Sequence, residues 1–352
     1  MKKYAVLVAG GTGGHINAAL AIGEALASEG WKIQYLTGKR PLDYKLFKGQ
    51  KVSHLDSKPL RTKNPFQLIQ NIVLNFLSFL TILASFIVRR PKVVIGAGGY
   101  VCGPTLLAGY FLRVPVFIIE QNAVMGLTNR ILGWISKRIF VHFSKTKGLS
   151  PHLEKKVLVV GNPTRKAIQP VSSRKVEENL RVLVFGGSLG ASQINKVIFD
   201  ILKDPPFSQM IIHHQLGGDQ QAPDLPTPVE YVPMNYIDNM QNEYEWCDVI
   251  ISRSGASTIS ELGIIKKPVL IFPYPAATDN HQVYNAEIFK EESDFTVEIL
   301  DPKLPHEECV IRTKEFLSKA FRQELKYSGT PSEGNHTCVS VIREIKKHVG
   351  MA

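Results

Sequence analysis

One arrangement recurs along this chain and limits what it can fold into: an apolar run, a glycine-bearing turn, then a stretch with helical spacing. Tyr4–Ala9 leads into Gly10-Gly11-Thr12-Gly13-Gly14 and a helical pattern through Leu20, Ile22 and Leu26. Lys92–Ile95 leads into Gly96–Gly99 and Gly103-Pro104, and Arg181–Phe185 into Gly186-Gly187-Ser188-Leu189-Gly190 with Ala191 to Leu202 after it. Val249–Ser252 leads into Arg253-Ser254-Gly255 and a helix through Ile259 and Leu262. Strands that alternate with helices predict parallel sheets covered by helices, an α/β fold. The order restarts near residue 181, after the polar stretch Gln169 to Asn179, so two doubly wound domains are expected, joined near Asn162–Gln169. The 352 residues, 44% of them hydrophobic, are enough for two packed cores. Glycine turns in such folds lie at the carboxyl edge of the sheet, which places the ligand in a cleft between the domains.

Charge is distributed unevenly. Residues 1–150 hold 20 Lys+Arg and 5 Asp+Glu, a surplus of +15, against 22 and 26, or −4, in the remainder. A basic half-chain suits an anionic membrane surface, an acidic substrate or nucleic acid. Clustered arginines interleaved with aromatics are lacking there, so no nucleic-acid partner is expected. Cys102, Cys247, Cys309 and Cys338 are far apart and form no C-x-x-C pair, which reads as scattered thiols in a reducing compartment. Lys2 and Lys3 precede an apolar run that stops after six residues, too short for a secretory signal, so a cytoplasmic protein is expected.

Phe66–Val88 is uncharged and long enough to span a bilayer, and it is bracketed by Arg61, Lys63, Arg89 and Arg90. Its polar residues Gln67, Asn71, Asn75, Ser78 and Ser85 fall on one helical face. That stripe predicts a helix of a soluble domain touching a membrane surface, ahead of an internal core helix and of a true span.

A glycine turn that opens a helix lets a phosphate approach backbone N–H groups and the positive end of the helix. The first turn is not a dinucleotide fingerprint, because Ile16 stands where the third glycine is needed and Lys39-Arg40 where an acidic ribose ligand would stand. No G-x-x-x-x-G-K-[ST] occurs either. Gly186-Gly187-Ser188-Leu189-Gly190 fits G-x-S-x-G between strand and helix, so a serine hydrolase using Ser188, with Asp279 and His281, is an alternative. His15 closes the first turn as a capping or packing histidine, or as a general base. Thr278-Asp279-Asn280-His281-Gln282 suits a polyhydroxylated ligand, or Asp279 or Asn280 simply caps the next helix. Glu261 is a ribose acceptor or a surface carboxylate.

Eight segments in order, from residue 10 to about 286, resemble the MurG family (glycosyltransferase family 28). They are Gly10-Gly11-Thr12-Gly13-Gly14-His15, Gly98-Gly99-Tyr100-Val101-Cys102-Gly103-Pro104, Glu120-Gln121-Asn122 and Gly126-Leu127-Thr128-Asn129, followed by Gly161-Asn162-Pro163-x-Arg165, Gly186-Gly187-Ser188-x-Gly190-Ala191, Arg253-Ser254-Gly255-Ala256 and Asp279-x-x-Gln282-x-x-Asn285-Ala286. The resemblance implies a GT-B fold: two Rossmann-like domains with a deep cleft between them, residues 1–162 plus about 333–352 facing acceptor and membrane, and residues 163–332 binding UDP-GlcNAc. It implies inverting transfer of GlcNAc from UDP-GlcNAc to the muramoyl-pentapeptide diphospho-undecaprenol lipid, turning lipid I into lipid II at the cytoplasmic face of the bacterial membrane, with no cofactor or essential metal. His15 would be the general base. Thr12, Gly13, Gly14 and Asn122 would line the donor sugar and acceptor side, and Arg165, Ser188 and Ile237 the nucleotide and its diphosphate. Ala256, Ser257, Thr258, Ile259, Ser260 and Glu261 would follow uridine and ribose, with His281 and Gln282 at the GlcNAc hydroxyls. The chain departs from the family pattern at Ala18 (usually proline), Cys102 (usually serine) and Leu189 (usually glutamine). A glycolipid synthase of the same fold acting on diacylglycerol, and a UDP-GlcNAc 2-epimerase, are the alternatives within that resemblance.

Overall fold

The computed structural model describes residues 3–164, 168–172, 176–187, 190–218, 220–224, 227–328 and 337–350. The chain divides into two compact units, Met1–Arg165 with Asn335–Ala352, and Lys166–Gly334.

The first unit runs β1 (Tyr4–Val8), α1 (Gly13–Ser28), β2 (Lys32–Thr37), α2 (Pro41–Leu46), β3 (Val52–His54), α3 (Pro65–Val88), β4 (Val93–Gly96), α4 (Cys102–Phe111), β5 (Val116–Glu120), α5 (Leu127–Leu132), β6 (Arg138–Val141), α6 (Pro151–Glu154) and β7 (Val157–Val159). Its seven strands pair in parallel in the order β3-β2-β1-β4-β5-β6-β7. Side chains alternate between two cores: Ala5 and Leu7 of β1 point into one, Val6 and Val8 into the other, and both are sealed. Burial on both faces explains why these strands read as unbroken apolar runs.

The second unit runs β8 (Leu180–Phe185), α7 (Ser192–Lys203), β9 (Met210–Gln215), β10 (Glu230–Met234), α8 (Met240–Trp246), β11 (Val249–Ser252), α9 (Ala256–Ile265), β12 (Val269–Ile271), a single 3-10 turn at Thr278–Asn280, α10 (His281–Glu292), β13 (Val297–Ile299) and α11 (His306–Phe321). Its six parallel strands follow the order β10-β9-β8-β11-β12-β13. In each sheet the strand order reverses beside the first strand, between β1 and β4 and between β8 and β11. Ligands of open parallel sheets bind at such switch points, and the four glycine-bearing turns recognised in the sequence follow these four strands.

The chain then returns to the first unit as α12 (Thr337–His348). Val341, Ile342 and Ile345 enter the core beside α1, Glu344 pairs with Arg138 at 3.0 Å, and Lys346 with Glu29 at 2.5 Å. Three buried aliphatic side chains contribute about 1.5–3 kcal/mol each, and the ion pairs, only partly exposed, orient the helix that this apolar burial holds.

The spacing of the polar residues leaves open which side of α3 faces the protein, and the structure shows it. Asn64 caps it by accepting from the N–H groups of Phe66 and Gln67, and Pro65 fits its first turn. The polar stripe turns inward: Asn71 donates to the Pro59 carbonyl and Asn75 to the Lys58 carbonyl, both at 2.8 Å, while Ser78 is buried. Ile82 and Phe86 enter the core, and Phe79 meets Phe111 of α4 edge-on at 5.6 Å. Phe66, Ile69, Ile72, Val73, Phe76 and Leu77 remain half exposed or more. An internal core helix is therefore excluded. So is a membrane span, since β3 before it and β4 after it belong to one sheet.

Candidate functional site

In the first unit the turns after β1 and β4 are pressed together. The N–H of Gly10 donates to the Gly98 carbonyl at 3.3 Å, and a Cβ on Gly99 would stand 2.2 Å from the Gly10 carbonyl oxygen. Gly98 and Gly99 both have left-handed backbones, φ +109° and +91°, so no other residue fits at Gly99. Thr12 caps α1: its hydroxyl oxygen accepts from the N–H of His15 at 3.4 Å. The capping role belongs to Thr12, which leaves the His15 ring to packing or to a base. Gly13 and Gly14 form the first turn of the helix.

The imidazole of His15 lies against the backbone of Gly98, where a Cβ would come within 2.8 Å of its Nε2. Its Nδ1 bonds the Gly10 carbonyl at 3.1 Å. A carbonyl only accepts, so Nδ1 carries the proton, and the neutral ring keeps its lone pair on Nε2.

Asn122 follows β5, the strand beside β4, and hangs on a carboxylate to which the sequence reading gave no role of its own. Glu120 is buried, and its Oε1 accepts from the N–H and Nδ2 of Asn122 at 3.0 and 3.3 Å. Its Oε2 accepts from the N–H of Gly126 and from Asn129 Nδ2, both at 2.9 Å. Four donors satisfy a charge that would be costly to bury without them. Gln121 beside it donates to the Ala97 carbonyl at 2.8 Å, joining this loop to the turn after β4. The sequence signal was a charged residue ending a strand that is otherwise wholly apolar.

In the second unit, the turn after β8 opens α7. Gly187 and Gly190 are left-handed, and a Cβ on Gly190 would lie 2.0 Å from the Leu216 carbonyl oxygen, so β9 backs this turn. Ser188, Leu189 and Arg165 lie outside the described residues. Ile237 is buried, and its N–H donates to Gln215 Oε1 at 3.2 Å.

Helix α9 opens after β11. Ala256 is nearly buried, Ser257 and Thr258 are half-buried, and the Ser260 hydroxyl donates back to the Ala256 carbonyl at 2.8 Å. The Ile259 side chain is in the core and its N–H is spent on Gly255, so it packs the helix. Glu261 Oε2 accepts a 2.8 Å hydrogen bond from the buried Tyr244 hydroxyl, so it is no idle surface carboxylate. That carboxylate and burial drive the Tyr244 pKa well above its ordinary value, desolvation being the larger cause.

Arg253, quoted in the sequence only as part of a motif, is a functional group in its own right. Its Nη1 reaches Gln193 Oε1 at 3.0 Å and the carbonyls of Phe272 and Pro273 at 3.0 and 3.2 Å, and the guanidinium lies 5.5 Å from the Tyr274 ring centroid. Burial lowers its pKa, yet arginine stays charged. Among the described residues it meets no carboxylate, so the carboxyl edge of this sheet carries positive charge beside the start of α7.

The turn before α10 removes Asn280 as a side-chain cap. Asp279 and Asn280 take consecutive left-handed conformations, φ +53° and +52°, and the Asn280 side chain makes no capping bond. The turn is pinned instead by Gln282, whose Oε1 accepts from the Tyr274 N–H at 2.9 Å and whose carbonyl accepts from the Ser254 hydroxyl at 2.7 Å. His281 Nδ1 bonds the Thr278 carbonyl at 2.7 Å. A hydrolase triad needs that nitrogen on a carboxylate, so Asp279 and His281 do not form the relay that the hydrolase alternative requires. Among the described residues no three His, Cys, Asp or Glu side chains converge as a metal-ligand set.

The comparisons with known proteins cover nearly the whole chain. The glycosyltransferase family 28 N-terminal domain matches residues 5–141, and its C-terminal domain matches residues 181–317. A protein of Shewanella denitrificans named UDP-N-acetylglucosamine--N-acetylmuramyl-(pentapeptide) pyrophosphoryl-undecaprenol N-acetylglucosamine transferase is 33% identical over 307 residues, 82% of this chain and 81% of its own. One of the same name from Psychromonas ingrahamii is 34% identical over 295 residues, 81% and 82% of the two chains. The solved structure of MurG from Acinetobacter baumannii superposes with a TM-score of 0.72 at 26% identity, covering 98% of this chain and 99% of that one. Two parallel α/β domains, glycine turns at both switch points and identity sustained across four-fifths of two curated relatives lead to one statement: this chain belongs to the MurG family of family 28 glycosyltransferases, and its fold is GT-B.

Proposed function

We propose that this protein transfers N-acetylglucosamine from UDP-GlcNAc to the lipid-linked muramoyl-pentapeptide, converting lipid I to lipid II, with inversion at the anomeric carbon. The observation that carries the reading is the identity of about one third with transferases of that name over four-fifths of both chains. The acceptor hydroxyl attacks the anomeric carbon, the bond from that carbon to the β-phosphate oxygen breaks, and UDP departs with the electron pair. His15 would take the acceptor proton on Nε2, the atom that its tautomer leaves basic. Charge accumulating on UDP would be met by the N-terminus of α7 and by Arg253, with Arg165 and Ser188 in the roles that the family resemblance implies. Thr12, Gly13, Gly14 and Asn122 would line the donor sugar and the acceptor side. Ile237, Ala256, Ser257, Thr258 and Glu261 would hold the nucleoside, and His281 and Gln282 the sugar, with Ile259 and Ser260 contributing through the packing of α9.

The acceptor is a lipid, and the first unit supports a peripheral membrane site. Beside the exposed apolar side chains of α3, the neighbouring α4 exposes Tyr110 and Phe111, and α5, packed on α4, exposes Leu127 and Ile131, with Trp134 just beyond its end. This face sits on the unit that carries the positive surplus, the pairing that an anionic leaflet attracts.

The test is transfer of radiolabelled GlcNAc from UDP-GlcNAc to a short-chain lipid I analogue, with and without EDTA. Product in both conditions is expected. Binding of UDP-GlcNAc without transfer would move the acceptor assignment to another lipid, and no binding of the donor would sink the transferase reading.

A further inference from the structure

Gln215 is the last residue of β9, and the sheet register gives it two lateral neighbours, Phe185 of β8 and Met234 of β10. The chain leaving β8 forms the glycine turn that opens α7, and the chain leaving β10 reaches Ile237 three residues later. The Gln215 side chain bonds to both. Nε2 donates to the Gly187 carbonyl at 2.8 Å, and Oε1 accepts from the Ile237 N–H at 3.2 Å. Both ends are determined, because the flipped amide would set oxygen against oxygen and N–H against N–H. The side chain is almost wholly buried, so water does not substitute for either bond.

The surroundings stiffen this bridge. Asn195 Nδ2 donates to the Leu216 carbonyl at 3.0 Å, and its Oδ1 meets His214 Nε2 at 3.1 Å. His214 Nδ1 in turn meets the Tyr231 hydroxyl at 3.0 Å. The end of β9 is therefore tied to the helix on one side and to β10 on the other, and Gln215 extends the tie to the two loops beyond.

We infer that Gln215 is a positioning residue that sets the spacing between the glycine turn after β8 and the Ile237 segment, and thereby fits the second unit to a nucleoside diphosphate as one rigid ligand. The inference rests on the reading of the second unit as the UDP-GlcNAc site. A ligand that touches only one of the two segments is indifferent to their spacing. One that spans both gains from having the distance preset, since the ordering cost is met before binding.

The experiment compares wild type with Gln215→Glu, which keeps the acceptor for Ile237 but sets a carboxylate against the Gly187 carbonyl, and with Gln215→Met, which keeps the length and loses both bonds. Inhibition constants for UDP and for uridine are measured against UDP-GlcNAc, together with kcat and the KM of donor and acceptor. The UDP constant and the donor KM are expected to rise about tenfold or more in both variants. The uridine constant, kcat and the acceptor KM stay within about twofold. UDP constants within twofold of wild type in a folded variant would overturn the inference, as would equal losses for uridine and UDP, which signal general damage. If Gln215→Glu does not fold, Gln215→Met decides alone. Wild type that binds no UDP would overturn the donor-site reading first, and this inference with it.

Discussion

A histidine acts as a base only through a nitrogen with a lone pair, and the Gly10 carbonyl selects which nitrogen His15 keeps. His15→Ala should therefore lower kcat about a hundredfold or more near neutral pH and remove the acidic limb of the pH–rate profile, with the KM for UDP-GlcNAc little changed. Turnover close to wild type with the same pH dependence would end the assignment. His15 was legible in the sequence because a glycine turn ahead of a helix marks its place. Its tautomer was not, since that depends on a carbonyl turned inward by the neighbouring strand's loop. Glu120, Gln215 and Arg253 escaped functional assignment for a related reason. Gln215 and Arg253 act across neighbouring strands, and only the strand order tells which loop a side chain at a strand end can reach, while Glu120 gathers donors from the fold of the loop that follows it. Ile259, carried over as part of a run, has its side chain in the core, a placement that the motif alone does not reveal.

Among the elements, the β-runs declared themselves because burial on both faces leaves no polar interruptions, and β11 occupies Val249–Ser252 as read. Helix α3 was legible as amphipathic, but spacing alone does not say which face meets the chain. The Pro59 and Lys58 carbonyls, which claim Asn71 and Asn75, belong to a loop without any pattern of its own. Helix α12 carries one pH-dependent contribution to the first unit, at Glu344. Burial pushes the Glu344 pKa up, but hydrogen bonds from Arg138 and Lys347 outweigh it, and the net shift is downward. A carboxyl whose folded pKa is depressed stabilises fully above its unfolded value, about 4.3, and loses that contribution as pH falls through the folded value. Glu344→Gln should thus lower the Tm at pH 7, and the two melting curves should converge as the pH falls below the ordinary carboxylate range. A difference that persists there would assign the effect to packing instead of charge.

Across the whole molecule, a +15 surplus in the first 150 residues and a −4 remainder give the chain an electrical polarity that composition revealed and no motif required. The exposed apolar side chains of α3 lie on the positive half. Sedimentation with vesicles rich in phosphatidylglycerol should carry the protein down at low salt, release much of it at high salt, and leave it in solution with neutral vesicles. Ile69→Ser with Phe76→Ser, both at exposed positions, should weaken that binding about tenfold at little cost to stability. Equal binding to neutral and anionic vesicles would refute the electrostatic part, and unchanged binding by the double variant would refute the role of α3. The return of α12 to the first unit has a consequence for synthesis. Val341, Ile342 and Ile345, with Cys338 and Val349 beside them, complete a core whose other members are all translated before residue 161. The ribosome needs on the order of ten to thirty seconds to cover the intervening stretch. For that interval the nascent first half holds an open apolar slot beside α1 while the second unit emerges and folds, so the half made first is the last to be finished.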